Sequence, residues 1–85
     1  MNRVVAFFSS DYDAFVVGKL VSEDLKSKRV ILCHPLLFDW KSGAMMAFKE
    51  IYHGEDFAFY CEPAVNDVST KLYEQYNDFL NNPAI

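Results

Sequence analysis

The chain has 85 residues, a mass of 9.8 kDa, 52% hydrophobic residues and a formal net charge of −4; a chain this short holds one hydrophobic core and excludes architectures that need two. Eight phenylalanines and five tyrosines supply enough apolar surface to oppose intrinsic disorder. The acidic balance, with a sequence pI near 4.9, argues against a general nucleic-acid or anionic-membrane binder, which needs clustered Lys and Arg.

Arg3 to Ser9, RVVAFFS, is a short apolar run rich in β-branched and aromatic residues. It does not alternate, so it reads as a strand covered on both faces. From Asp13 to Lys28 the apolar residues Ala14, Val17, Leu20, Val21 and Leu25 fall on one side of a helical wheel, opposite Lys19, Ser22, Glu23 and Lys26. Ser10 and Asp13 resemble a capping pair for that helix, and Gly18 reads as a point of close approach between helix and sheet. Arg29 to His34, RVILCH, reads as a second strand. Ser42 to His53 reads as a second helix, with Ala44, Met45, Phe48, Ile51 and Tyr52 on one face and Gly54 as its terminator. Phe57 to Cys61, FAFYC, is a third and weaker strand candidate. A third wheel runs from Val68 to Leu80, capped by Asn66 or Asp67 and stopped before Pro83.

The expected fold is therefore α/β, in the order β-α-β-α-β-α, over a single compact domain spanning residues 1–85. Each crossover holds enough residues to return the chain, which predicts a three-stranded parallel sheet. Order 2-1-3 buries the first strand best and gives a minimal flavodoxin-like three-layer sandwich, with Val5 and Phe7 expected on opposite faces. The rival is an α+β domain in which residues 48–61 form a hairpin around the Tyr52–Glu55 turn.

A parallel sheet brings the C-terminal ends of its strands to one edge. That edge would carry Ser9, Ser10 and Asp11, then Cys33 and His34, then Cys61 and Glu62, and would form a pocket of the kind an enzyme or ligand-binding domain uses. Each of these residues also has a bland reading. Ser-Ser-Asp after a strand is an ordinary helix cap, and the two cysteines read as reduced core residues. Adjacent Cys33 and His34 point to opposite faces of a strand, so neither a zinc site nor an activated thiolate is supported. Glycine spacing gives no phosphate-binding loop, and no cofactor, metal or catalytic residue is assigned.

The segment after His34 is more distinctive. Pro35 to Trp40 places Leu36, Leu37, Phe38 and the only Trp in an expected connection, where large rings either close the core or meet a partner. Phe38, Trp40, Met46 and Tyr73 are the interaction candidates. Size and the aromatic loop favour a small regulatory protein-binding module, using that loop or an exposed sheet edge, over an enzyme. Residues 43–85 carry seven acidic and two basic side chains, which would steer a basic protein partner. Exposed edges also predict a homodimer, and neither nucleic acid nor membrane is an expected partner. Two cysteines are too few for a disulfide framework, and the opening residues hold no stretch long enough for export or membrane spanning; both point to a cytoplasmic protein.

Overall fold

The structure, a computed structural model, describes residues 3–49, 56–61 and 65–82. Its strands are β1 (Val4–Ser9), β2 (Ala14–Asp24), β3 (Arg29–Asp39), β4 (Ala44–Ala47), β5 (Asp56–Tyr60) and β6 (Asn66–Asp67), followed by the helix α1 (Thr70–Asn81). They form one sheet in the order β4-β3-β2-β1-β6, with β5 also paired to β3.

Every described pairing in this sheet is antiparallel. The expected parallel α/β sandwich in order 2-1-3 is thereby overturned, and the chain is a mostly β protein with a single helix among the described residues. The first expected helix is the strand β2 and the turn after it. Of the second, residues 44–47 form β4, Phe48 and Lys49 are non-helical, and residues 50–53 lie outside the described residues. The turn of the rival hairpin, residues 52–55, lies outside the described residues, and β5, its second arm, pairs with the first half of β3.

Two polar turns generate the meander. Asp24 Oδ1 accepts from the amides of Lys26 (3.0 Å) and Ser27 (3.4 Å) between β2 and β3. Asp39 Oδ1 accepts from the Lys41 amide (3.1 Å), and its Oδ2 accepts from the Ser42 hydroxyl (2.8 Å), between β3 and β4. These side chains imitate a backbone turn and close the hairpin. Lys28 (φ 57) and Gly43 (φ 76) hold the left-handed positions that let each chain re-enter the sheet.

β2 and β3 are each 11 residues long, and their ladder shifts register between Val17 and Lys19 and again between Leu20 and Ser22. Such bulges bend and twist a strand. His34, at φ 54, and the buried Pro35 mark the matching irregularity in β3. A Cβ added to Gly18 would stand 3.0 Å from Leu32 Cβ, so a side chain at this position in β2 would press against β3. The irregularity divides β3 into a first half, Arg29 to Cys33, beside β5, and a second half, Leu36 to Asp39, beside β4.

Against the expectation of one core, the buried residues divide into two clusters, one on each face of the single sheet. Val5, Phe7, Val16, Val30, Leu32, Phe48 and Phe59 pack together on one face. Val4, Val17, Leu36 and Tyr76 form the other beneath α1, with Phe15, Phe38 and Leu72 at its margin. Val5 and Phe7, expected on opposite faces, share one, as residues two apart in a strand must. The helix begins where the Ser69 side chain accepts from the Leu72 amide at 3.2 Å, close to the expected start at Val68.

Candidate functional site

The outer edge of the sheet beyond β3 is built from the four residues of β4 and the five of β5. Its sequence, AMMA and DFAFY, contains one charged residue, Asp56, and no Lys, Arg or Pro. Edge strands in isolated domains are ordinarily guarded by such residues, since an open ladder of amides and carbonyls is a template for another chain. Here the guards are missing. Met46, Phe57 and Tyr60 are exposed instead, Tyr60 at 64%.

Beside β5 lies a slot of about 270 Å³, lined by Phe8, Ser9, Ser10, Asp11 and Tyr12 on one side and by residues 57–60 on the other. Its aromatic floor is continuous with the core. Tyr12 meets Phe48 edge-on at 5.1 Å, Phe48 lies 5.6 Å from Phe59, and Phe57 lies 5.1 Å from Phe59. These contacts hold the rings in place, so the surface of the slot is ordered within the fold itself. Among the described lining residues Asp11 alone is charged.

A second depression, about 450 Å³, lies on the other face under the start of α1, lined by Ala6, Phe8, Phe15, Phe38, Val68 and Leu72 among others. It continues toward Gly43, whose carbonyl accepts from Gln75 Nε2 at 2.7 Å.

The sequence candidates are distributed as follows. Phe38 is half-buried at the helix-side core, whereas Trp40 is 52% exposed in the β3–β4 turn with the Lys41 ammonium 5.5 Å from its ring centre. Met46 pairs with Leu37 and Phe38 with Met45, so Phe38 and Met46 occupy opposite faces and make no single patch. Tyr73 is exposed on α1. Phe57, Tyr60, Phe8 and Tyr12 were not singled out by the sequence reading, because a strand assumed to be covered on both faces offers no exposed rings.

The alternative pocket is not assembled. Ser9, Ser10 and Asp11 line the slot. Cys33 and His34 sit in the middle of β3, and Cys61 is buried in the core shared with Val30. Antiparallel pairing disperses strand ends that a parallel sheet would have gathered, and Glu62, like His53, lies outside the described residues. Desolvation, together with the Asp56 carboxylate to which it hydrogen-bonds, pushes the Cys33 thiol above its ordinary value. Burial, reinforced by Glu23, does the same to Cys61. Both are free thiols held in the protonated form, the opposite of what a nucleophile or metal ligand requires. Among the described residues no cluster of three or more His, Cys, Asp or Glu is placed to hold a metal, and no helix is long and apolar enough to cross a membrane.

Compared with protein-family models, curated proteins and solved structures, the chain matches none.

Proposed function

We propose that this protein is a small interaction module that accepts an extended protein segment as an additional strand on the open edge of β5. The observation that carries the reading is that edge: β4 and β5 together present one charge and no guarding Lys or Pro, beside a slot lined by aromatic rings. Strand addition draws affinity from main-chain hydrogen bonds and specificity from pockets that receive alternate side chains. β5, which among the described residues pairs with β3 alone, supplies the first through its other edge, and the slot supplies the second. Among the described residues of this surface the charges are Asp56 and Asp11, both acidic, in keeping with the expected basic partner. The two free thiols support a reducing, cytoplasmic setting for the module.

The test is selection of a displayed library of random ten-residue peptides on the immobilised full chain. Retained peptides should be released by Ala58→Lys, which restores a guarding charge at the exposed centre of β5. Peptides retained equally by the variant would place binding elsewhere and end this reading.

A further inference from the structure

We infer that the strand added to β5 comes from a second copy of this chain, the two β5 strands pairing antiparallel about a two-fold axis at Ala58. The inference rests on the docking reading above and names its partner. A two-fold through an odd-numbered strand sets residue 58 against itself, 57 against 59 and 56 against 60, because an isologous contact must be self-complementary.

β5 satisfies that condition. Ala58 meets the partner's Ala58, two small exposed residues that let the backbones approach. Phe57, which is exposed, is set beside the partner's Phe59, on the face where the two rings already meet within one chain. The Asp56 carboxylate is set opposite the exposed ring of the partner's Tyr60 and away from the partner's own Asp56. That pairing occurs twice by symmetry. Two chains of net charge −4 repel one another at long range, yet on this edge no carboxylate faces another.

The rows behind the edge agree. Within one chain Ile31 pairs with Ala58, and Arg29 pairs with Tyr60. The dimer extends the exposed Ile31–Ala58 pair into a row of four apolar residues across four strands. It also places Arg29 and the partner's Asp56 on either side of Tyr60, so that charges of opposite sign alternate along the row. Register slipped by one residue in either direction would break this pattern, bringing Ala58 opposite an aromatic ring.

The experiment is sedimentation velocity on the full chain from about 1 µM to about 1 mM. The wild type is expected to shift with concentration from a 9.8 kDa species to one of twice that mass. Ala58→Lys places two ammonium groups on the axis and is expected to weaken association at least about tenfold, with an unchanged thermal transition showing that the fold is intact. Ala58→Cys is expected to give a covalent dimer on mild oxidation well before the wild type does. A 9.8 kDa species at every concentration overturns the inference; if the peptides selected above still bind through β5, the docking reading survives it. A dimer that persists undiminished in Ala58→Lys overturns the assignment to β5.

Discussion

The Tyr76 hydroxyl donates a 2.6 Å hydrogen bond to the backbone carbonyl of His34, tying the buried centre of α1 to the residue at which β3 adopts φ 54. A fully buried phenol with a single strong acceptor is held by both packing and polarity. Tyr76→Phe keeps the ring and leaves the carbonyl without this donor, so it is expected to cost about 1–3 kcal/mol. Tyr76→Ala also opens a cavity and is expected to cost about 3–5 kcal/mol. Urea unfolding measures both, and a Phe variant as stable as the wild type would mean that the bond is immaterial.

The same phenol makes the fold sensitive to alkali. Burial pushes Tyr76 far above its ordinary 10.0, and desolvation raises both Cys33 and Cys61 above 9.0. A raised folded value favours the protonated form in the native state. Its contribution is fully present below the unfolded value and is lost as pH rises toward the folded one. Stability to urea should therefore hold up to about pH 9 and fall above it, and Tyr76→Phe should flatten the part of the decline above pH 10. A stability profile that stays level from pH 9 to pH 11 would contradict these environments.

Gly18 tests the close approach of β2 to β3. Its missing side chain leaves room for Leu32, whose Cβ and Cδ1 stand 3.0 and 3.1 Å from where a Cβ would be. Gly18→Ala is expected to cost about 1–3 kcal/mol through overpacking. Combining it with Leu32→Ala, which removes Cδ1 and frees the Cβ to shift, should cost less than the sum of the two single changes, a coupling that reports the steric conflict.

Trp40 and Phe38 lie two residues apart and should respond differently. Trp40 is exposed in a turn, so Trp40→Ala is expected to change stability by less than about 0.5 kcal/mol. Phe38 packs at the margin of the helix-side core, and Phe38→Ala is expected to cost about 2–4 kcal/mol. Equal losses in thermal unfolding would show that Trp40 closes the core after all.

Particular residues show why parts of the fold were legible in the sequence and others were not. β1 was readable because the apolar run Val4 to Phe8 is too short for a helix, and α1 because Leu72, Tyr76, Phe79 and Leu80 recur at helical spacing; its cap is Ser69, whereas Asn66 and Asp67, the expected caps, form β6. β2 misled because its bulges interrupt the two-residue alternation. Ala14, Val17 and Leu20 then fall three apart and imitate one face of a helix. Phe15-Val16-Val17 followed by Gly18 carried the contrary signal, since β-branched residues and a glycine are poor helix interiors. β4 is made of good helix formers, Ala44 to Ala47, and takes its conformation from pairing with Leu36 to Asp39.

The hairpins had a signature of their own. Asp24-Leu25-Lys26-Ser27-Lys28 and Asp39-Trp40-Lys41-Ser42-Gly43 repeat the pattern Asp-x-Lys-Ser ending at a positive φ. Read together, they mark two tight turns and predict the antiparallel meander. They also explain Trp40, which stands where Leu25 stands in the other turn, and both are exposed. Half of the slot, Ser9 to Asp11, was legible as a polar strand end. Its other half was not, because only the pairing of β5 with β3 places Phe57 and Tyr60 on a strand that no other described strand flanks.

Amide hydrogen exchange along Asp56 to Tyr60, compared in dilute and concentrated solutions of the full chain, tests the central claim most directly. The amides of β5 that point away from β3 should exchange freely when dilute and become protected as concentration rises, while protection in β1 and β2 stays constant. Protection of β5 that is the same at both concentrations would contradict the assignment of this edge to a second copy of the chain.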